Sequence, residues 1–555
     1  MNIMNSVAQF SDPKDNANLC QILQRHAASV PLRPAIIDTV SGASSTATTT
    51  TRVASFAQLE EEVTEAATIL QAQGVRPLDV VLIYVPLQRE LISLLLAVFR
   101  LGAQALFIDP AYSPSKVLHC LRLARPKVLV LDKRIEMLGA VAPLFGIDRV
   151  ITFGRPDNDI EASIKDCLSS KPANSTVASN GAVVHVSQNH PALITFTSGS
   201  TGLPKGIVRS HGFLVNQAAM LKQTLPAPTT CEYMQVLTTL PMFILSTLAA
   251  GDTAIIPAKD EGSLLNQLKY LAPDRLLCAP HTLGQMSELL SKNSIELNTI
   301  KEVVVGGGPV FPELLTKMRD VMPEAILTTV YGSTEAEPIC HKSYAPGQTI
   351  ETSRGLPLGK KIDAIDLQVI DSKLMRDHRG PLNAKQFEAL CLPSGAEGEI
   401  VVSGQHVIKS YLGNIGDTET KFVVDGQVYH KTGDAGYIDQ SGAVYLTGRV
   451  SSALKINCRT TYPLTVELVA MQVNSVNRCA LVDVRGKAVL ALELKEGTDK
   501  KDCLKQLADL FSRAEINIDR FVAIKHLPVD QRHQSKIVYS KLRRQLAFTW
   551  QSGFG

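Results

Sequence analysis

A ten-residue run of hydroxyls and glycines, closed by a lysine, is the part of this chain best suited to chemistry. The run reads TSGSTGLPKG and directly follows the apolar stretch 192–196. Glycines let the backbone approach a polyphosphate closely, hydroxyl and main-chain N–H groups donate to its oxygens, and the lysine adds a mobile charge. We therefore predict a loop that binds a nucleoside triphosphate. Its candidate ligand-binding residues are Thr197, Ser198, Gly199, Ser200, Thr201, Gly202 and Lys205.

The loop is not of the Walker A type, because Lys205 stands between Pro204 and Gly206 and no Gly-Lys-Ser/Thr sequence is present there. A flexible Ser/Gly linker would explain the composition. It would not explain an apolar strand that leads into the run or a helix-like segment that leads out of it from Ser210. The pattern therefore favours a phosphate loop.

Two further segments end apolar runs with residues that could hold a ligand. Three glycines at 306–308 follow Val303–Val305 and would expose bare backbone to a planar group, although a tight turn explains them almost as well. Tyr331-Gly332-Ser333-Thr334-Glu335 also ends an apolar strand. The carboxylate of Glu335 is a suitable ligand for Mg²⁺, but an acid at a helix N-terminus would explain it too.

The last two segments contribute a carboxylate and two cations. The motif Thr432-Gly433-Asp434 ends in a side chain whose two acceptor oxygens suit a vicinal diol. Arg449 follows downstream, and Lys536 lies in a basic tail, where a solvated charge is the ordinary interpretation.

Together and in this order, the segments resemble those of the adenylate-forming superfamily, which includes acyl-CoA synthetases, luciferases and the adenylation domains of peptide synthetases. The resemblance covers nearly the whole chain and implies ATP and Mg²⁺ as cofactors. It implies that Tyr331 lies beside adenine, that Thr334 contacts the α-phosphate, and that Glu335 and Thr197 hold Mg²⁺. The remaining nucleotide-binding candidates of these strand ends are Gly307, Gly308, Gly332 and Ser333.

The same resemblance assigns the distal residues. It implies that Asp434 accepts the ribose hydroxyls and that Arg449 also reaches the ribose. Lys536 matches the C-terminal lysine that swings in to meet the α-phosphate and the attacking carboxylate. The implied chemistry is attack of a substrate carboxylate on the α-phosphorus, which gives an acyl-adenylate and pyrophosphate. We accordingly assign catalysis to Lys536, Thr334 and Glu335.

Some positions depart from an ordinary acyl-CoA synthetase and put the thioester half-reaction in doubt. Cys458 stands where a glycine would line the thiol tunnel, and Ser451 and Ser452 stand where an acidic hinge residue is common. Phe243 is followed by Ile244 and lacks the histidine that often follows it. Apolar and small residues suit an aliphatic acyl chain. The substrate candidates are Phe243, Ile244 and Gly306.

These departures, with segments 331–338 and 532–537, resemble the β-lactone synthetases of bacterial olefin biosynthesis. The resemblance implies a long-chain β-hydroxy acid whose own hydroxyl attacks the activated carbonyl, and an assembly with a hydrolase and a reductase. A base for that hydroxyl is not identifiable, and His211 is better interpreted as structural. A fatty acyl-CoA or acyl-carrier-protein ligase is the alternative, and an adenylate-binding protein without turnover is a further one.

Short apolar runs such as 80–83, 127–131 and 326–330 alternate with longer segments of helical period, which predicts an α/β fold with buried sheets. A chain of 555 residues is longer than a single hydrophobic core usually supports, so we expect at least two domains. We predict a layered N-terminal adenylation body over 1–448 and a small mobile α+β lid over 449–555, with the hinge near 449–452.

Composition excludes several function classes. The 56 basic and 53 acidic residues give no field suited to nucleic acid or a membrane surface. Ten cysteines without CxxC pairs favour reduced thiols, and no basic and apolar leader is visible, so we expect a cytoplasmic protein. The apolar stretch 91–108 contains Arg100 and is predicted to be a buried helix and strand. Polar stretches at 41–51 and 169–189 are predicted to be surface loops.

Overall fold

A computed structural model describes much of the chain. Of the two polar stretches predicted to be surface loops, 42–48 and 169–181 lie outside the described residues, whereas Thr49–Ser55 forms a strand. The described residues are 16–41, 49–132, 139–140, 142–153, 182–197, 203–225, 232–350, 355–377, 380–456, 459–529 and 536–551.

Strands and helices alternate through the first 449 residues, as the apolar pattern predicts. The strands are β1 (Pro34–Ser41), β2 (Thr49–Ser55), β3 (Val80–Tyr84), β4 (Gln104–Leu106), β5 (Val128–Asp132), β6 (Arg149–Phe153), β7 (Pro191–Thr197), β8 (Lys205–Ser210), β9 (Gln235–Thr238), β10 (Thr253–Ile255), β11 (Arg275–Cys278), β12 (Glu302–Gly306), β13 (Ile326–Ser333), β14 (Ala336–Tyr344), β15 (Leu356–Lys361), β16 (Ile365–Ile370), β17 (Gly398–Gly404), β18 (Lys421–Val424), β19 (Gln427–Ile438) and β20 (Val444–Arg449).

The helices of this region cover the faces of the sheets. They are α1 (Cys20–Ser29), α2 (Phe56–Ala72), α3 (Arg89–Arg100), α4 (Pro114–Ala124), α5 (His211–Thr224), α6 (Pro241–Ala250), α7 (Glu261–Asn266) continued by a π turn at Gln267–Leu271, α8 (Pro280–Lys292), α9 (Pro312–Val321), α10 (Ser372–Asp377), α11 (Ala384–Leu390), a 3₁₀ turn (Leu412–Asn414) and α12 (Asp417–Thr420).

Two sheets organise these elements. One has six strands in the order β6-β5-β3-β4-β7-β8, and the other has the path β16-β17-β19-β20-β15-β14-β13-β12-β11-β9-β10-β1-β2, with β18 paired to β19. Parallel pairs such as β12 with β13 are buried on both faces, which explains their nearly continuous apolar sequence. The apolar runs that predicted strands all lie in strands, so the predicted α/β class is confirmed.

The largest core cluster joins the two sheets through α2, α3 and α5. It includes Phe56, Leu95, Phe99 and Leu193, all fully buried. The apolar stretch 91–108 forms most of α3 and all of β4, as predicted. Among the described residues, none of the helices combines the length and the hydropathy that crossing a bilayer requires.

The chain after Arg449 forms a small α+β unit. It contains a 3₁₀ turn (Val450–Ser452), β21 (Leu454–Ile456), β22 (Arg459–Thr461), α13 (Pro463–Ala470), β23 (Val476–Val484), β24 (Lys487–Leu494), α14 (Lys500–Arg513), β25 (Arg520–Ala523) and α15 (Tyr539–Gln551).

β23 and β24 form an antiparallel pair joined by a turn at Arg485 and Gly486, both of which have positive φ. The helix α14 and the strand β25 follow. In the three-stranded sheet β23-β24-β25, α13 and α14 pack on one face and α15 packs on the other. The division between body and lid at residue 449 stays a prediction.

A fully buried carboxylate, Glu467 on α13, lies at the outer edge of this sheet with 2% of its surface exposed. Its Oε1 accepts the Leu481 N–H at 2.9 Å and the Tyr539 hydroxyl at 2.8 Å. Burial raises the pKa of Glu467 to about 7, because the loss of hydration outweighs these two hydrogen bonds.

Replacing Glu467 by glutamine should therefore remove a pH dependence of stability. The pKa is raised from its ordinary 4.5 to about 7 on folding, so stability is full below pH 4.5 and is lost as the pH rises through 7. At about 1.4 kcal/mol per pKa unit, the loss is roughly 3 kcal/mol. Urea unfolding of wild type and Glu467→Gln at pH 5 and pH 8 measures it, and parallel pH dependences would contradict the assignment.

Candidate functional site

The phosphate loop is flanked by an antiparallel strand pair. Thr197 ends β7 and stands opposite Lys205, the first residue of β8. The helix expected after the loop is α5, whose N-cap Ser210 accepts the Phe213 N–H at 3.1 Å. Loop residues 198–202 lie outside the described residues. The pairing of β7 with β8 nevertheless brings the first and last loop-binding candidates to one place.

A tyrosine links the loop lysine to the predicted magnesium ligand. Lys205 Nζ lies 5.1 Å from the centroid of the Tyr411 ring, and its side chain runs against the backbone of Gly416. The Tyr411 hydroxyl donates to Glu335 Oε1 at 2.8 Å. The Glu335 carbonyl accepts the Ile408 N–H at 2.9 Å. Glu335 is therefore held by its side chain and its backbone beside the loop lysine.

Glu335 lies in the turn between β13 and β14, so the alternative of a helix N-terminal acid is wrong. Burial disfavours its charged form, yet His430, the Tyr411 hydroxyl and Lys421 lower its pKa below the ordinary value. The group is therefore ionised at neutral pH.

Lys421 is a second cation at this end of the site. Its Nζ donates to the Ile408 carbonyl at 2.7 Å, lies 3.1 Å from His430 Nδ1, and lies 5.3 Å from the centroid of the Tyr411 ring. Burial lowers the pKa of Lys421 to about 8, although Glu335 opposes the shift. Burial and the nearby Lys421 lower the pKa of His430 to about 4, so this imidazole is neutral at pH 7.

The aspartate predicted to bind ribose forms a short hydrogen-bonded chain. Tyr331 Oη donates to Asp434 Oδ2 at 2.8 Å, and Arg449 Nη1 donates to Asp434 Oδ1 at 2.6 Å. Asp434 and Arg449 are direct partners in the β19–β20 pair. A carboxylate has about four acceptor positions, so it can accept a diol while keeping these two partners.

The glycine segment lies one strand away from Tyr331. A Cβ on Gly306 would stand 2.8 Å from the Val330 carbonyl oxygen, so this glycine is required by the close approach of β13. Gly307 has φ +83° and nothing within 4 Å of a Cβ, which leaves open space above its backbone. Both the turn and the ligand interpretations of this segment are therefore compatible with its geometry.

Arg209 connects the loop hairpin to the strand end that bears Thr334. Its guanidinium donates to Thr195 Oγ1 and to the Thr334 carbonyl, both at 2.7 Å, and the residue is only 3% exposed. The next side chain upstream, Ser333, has a buried Oγ without a hydrogen-bond partner among the described residues. A buried hydroxyl in that state can still bond to a ligand.

The remaining candidates lie on other elements, and Phe243 packs against Val304 and Val330 of the neighbouring strands. Phe243 and Ile244 are buried on α6, and Ile244 is fully enclosed in the largest core cluster. His211 is also fully buried, where the Leu19 N–H donates to its Nδ1 at 3.2 Å and burial lowers its pKa to about 3. This surrounding matches the structural interpretation of His211. Lys536 is exposed on the C-terminal unit, just before α15.

The hinge candidates Ser451 and Ser452 form the 3₁₀ turn that follows Arg449. A cavity of about 240 Å³ opens there, bordered by Gly433, Arg449 and Ser451. Cys458 lies outside the described residues. The 3₁₀ turn that contains the hinge candidates thus lies directly beside the aspartate–arginine pair.

Sequence reasoning missed four residues that complete this arrangement. An arginine directly after the apolar pair Ile207-Val208 of β8 was an available signal for Arg209. No pattern distinguished Tyr411 or Lys421, since both reach the site only through the packing of β18 and the preceding turn. His430 lies two residues before the Thr432-Gly433-Asp434 motif, and the motif by itself assigns it no role.

Comparison with known proteins agrees with the motif order. Residues 23–412 match the family model described as AMP-binding enzyme. An olefin β-lactone synthetase of Stenotrophomonas maltophilia is 28% identical over 488 residues, covering 82% of this chain and 84% of the relative. A 4-coumarate–CoA ligase of Arabidopsis thaliana is 24% identical over 447 residues, covering 76% of this chain and 74% of the relative.

The fold also matches solved structures. The O-succinylbenzoate coenzyme A synthetase of Bacillus subtilis, solved in complex with ATP and magnesium ion, superposes with a TM-score of 0.74 at 20% identity. The match covers 94% of this chain and 99% of that one. It supports the α/β fold of the whole chain, C-terminal unit included.

Replacing Asp434 by asparagine should weaken binding of AMP by tenfold or more. The carboxylate charge holds Arg449 and would strengthen hydrogen bonds from a diol, and the substitution removes this charge. A hydrogen bond to a charged group contributes about 1.5–3 kcal/mol. Isothermal titration of the full chain with AMP measures the affinity. Asp509→Asn, on the exposed surface of α14, is the matched control. An AMP affinity of Asp434→Asn within twofold of wild type would contradict the assignment.

Proposed function

The chain belongs to the AMP-binding enzyme family, and on that premise we propose that it activates a β-hydroxy acid with ATP and closes it to a β-lactone. Two reactions are involved. In the first, a carboxylate oxygen of the substrate bonds to the α-phosphorus of ATP. The bond between the α-phosphorus and the oxygen that bridges to the β-phosphate breaks, which releases pyrophosphate. In the second, the substrate's β-hydroxyl oxygen bonds to the acyl carbon, the acyl–phosphate bond breaks, and AMP and a proton are released.

The observation that supports adenylation most directly is the hydrogen-bonded chain Tyr331–Asp434–Arg449, whose arginine also interacts electrostatically with Glu335. In our proposal the Tyr331 ring lies against adenine, and Asp434 and Arg449 hold the ribose. The buried Oγ of Ser333, between Tyr331 and Thr334, has no hydrogen-bond partner among the described residues and is available to a polar ligand at this strand end.

The donor set suits magnesium held mainly by phosphate. Glu335 is an ionised oxygen ligand beside Lys205, and a Mg²⁺ ion that keeps waters and phosphates needs few protein ligands. Among the described residues, no group of three or more His, Cys, Asp or Glu could form an all-protein cage. When bound, Mg²⁺ would neutralise charge on the phosphates. Thr197, at the entrance of the loop, is the second proposed ligand.

Catalysis of the first reaction then depends on position and positive charge. Lys205 is held on the Tyr411 ring near the strand end of Thr334, while Arg209 fixes the Thr334 carbonyl. We assign Lys536 to the α-phosphate and the attacking carboxylate, which requires the C-terminal unit to present it to the body. Preorganised donors act where charge develops in the transition state, and no protein nucleophile is required.

The lactone step is supported by sequence similarity and by the fact that the substrate supplies its own nucleophile. The Stenotrophomonas relative is named an olefin β-lactone synthetase, and another of that name in Xanthomonas campestris is 25% identical over 495 residues. An internal hydroxyl reaches effective molarities of about 10⁵–10⁸ M and needs no tunnel for a second substrate. Cys458 stands in the sequence where a glycine would line such a tunnel, and a side chain there would narrow a passage that lactone formation does not need.

An acyl-CoA or acyl-carrier-protein ligase is the second candidate, because 4-coumarate–CoA ligases are also similar to this chain. Both candidates share the first reaction and the residues assigned to it. They differ only in the acceptor of the acyl group.

Replacing Lys536 by alanine should slow acyl-adenylate formation by roughly 10²–10³ or more, the effect of losing one preorganised donor. The measurement is pyrophosphate–ATP exchange with a long-chain β-hydroxy acid. Lys541→Ala, an exposed lysine of the same basic tail, is the control. Near-normal exchange by Lys536→Ala would refute the role of this lysine without touching the rest of the site.

The acceptor can be identified by mass spectrometry of the products. With ATP, Mg²⁺ and a long-chain β-hydroxy acid, and without coenzyme A, we expect AMP together with the acid minus one water. A matched fatty acid without the hydroxyl should give no cyclised product. Release of product only after a thiol is added would favour the ligase instead.

A further inference from the structure

The C-terminal unit contains a buried polar link that the proposed chemistry does not use directly. Glu467 on α13 and Tyr539 on α15 meet at the outer edge of β23. Tyr539 Oη lies 2.8 and 2.9 Å from the two carboxylate oxygens of Glu467. The Leu481 N–H of β23 donates to the same carboxylate at 2.9 Å. The Glu467 side chain thus links α13, on one face of the sheet, to β23 and to α15 on the other face.

The two linked helices have different neighbours. α13 packs on the body, since its Leu464 belongs to the core cluster that contains Val444 and Leu446 of β20. β20 ends at Arg449, the partner of Asp434. α13 therefore contacts the strand that ends beside the proposed nucleotide site.

The other helix, α15, begins three residues after Lys536. Several contacts bind the segment that carries this lysine to the unit. Ile537 bridges to Val529, the Val538 N–H donates to the Pro528 carbonyl at 2.8 Å, and Tyr539 reaches Glu467. Of these three contacts, the last connects the segment to α13.

We propose that the Glu467–Tyr539 pair is a positioning device, which fixes Lys536 relative to α13 and so relative to the body. The inference rests on the proposed function, in which Lys536 meets the reacting phosphate. A lid that rotates about a hinge can place a lysine accurately only if the segment bearing it moves with the hinge-side helix as one body.

Stability alone is a poor explanation for this pair. A buried carboxylate costs hydration free energy, and well-packed apolar side chains of similar volume usually serve a core as well or better. Directional hydrogen bonds from one carboxylate to two different elements restrict their relative placement, which apolar packing does less strictly. The pair is therefore better suited to holding geometry than to adding stability.

Tyr539→Phe tests the proposal by removing one hydroxyl. A displacement of about 1 Å can cost 10²-fold in rate, so we expect kcat of pyrophosphate exchange to fall tenfold to hundredfold, with the KM for ATP within twofold of wild type. Amide hydrogen exchange over residues 536–546 of the full chain should become faster, because the segment loses its link to α13.

Two further variants separate positioning from general destabilisation. Phe511→Leu, in the core on the α14 side of the same sheet, should lower the thermal transition to a similar extent and leave kcat within twofold of wild type. Glu467→Gln keeps an acceptor oxygen for the Tyr539 hydroxyl and should recover most of the kcat that Glu467→Ala loses.

The outcomes distinguish this inference from the proposed function. An active wild type with unchanged kcat in Tyr539→Phe, or with an equal loss in Phe511→Leu, would overturn the positioning role. A wild type that exchanges no pyrophosphate with any acid would defeat the proposed function instead. In that case hydrogen exchange still decides the inference: faster exchange over 536–546 in Tyr539→Phe but not in Phe511→Leu supports the link, and unchanged exchange overturns it.

Discussion

The carboxylate of Asp434, shared between Tyr331 and Arg449, is the interaction on which the arrangement of the site depends. Three strands, β14, β15 and β20, separate β13 from β19 in the pairing order, yet the Tyr331 hydroxyl reaches Asp434 at 2.8 Å. The large sheet must therefore be curved strongly enough for the ends of β13 and β19 to approach each other. Because both oxygens of one carboxylate are engaged by different strand ends, a change in that curvature would break a hydrogen bond to a charged group.

A second constraint is the balance of charge around Glu335. Lys205 and Lys421 both lie over the Tyr411 ring, whose hydroxyl donates to the Glu335 carboxylate. Burying an acid is unfavourable unless cations and hydrogen bonds compensate. Tyr411, one of the groups that keep Glu335 ionised, also has the loop lysine over its ring, so one side chain serves both the electrostatic requirement of the fold and the chemistry that we propose.

The C-terminal unit follows a comparable logic on a smaller scale. Its helix α13 contacts β20, the strand that precedes the unit, and its helix α15 follows the proposed catalytic lysine. Polar atoms at the sheet edge connect the two helices around β23. Apolar packing on both faces makes this sheet a stable unit, whereas the edge contacts define how the Lys536 segment sits on it.

The sequence by itself determined the α/β class, the strand ends that carry the ligand candidates, and the family, because apolar period and glycine–hydroxyl motifs are local properties of the chain. It also indicated Asp434, Glu335 and Lys536 as chemical groups. Only the tertiary structure decided that Glu335 lies in a β turn and which side chains surround it. Tyr411 and Lys421 had no local signal, since their role arises from contacts between strands and turns distant in sequence, and the energy of those contacts depends on burial that no short window of residues reveals.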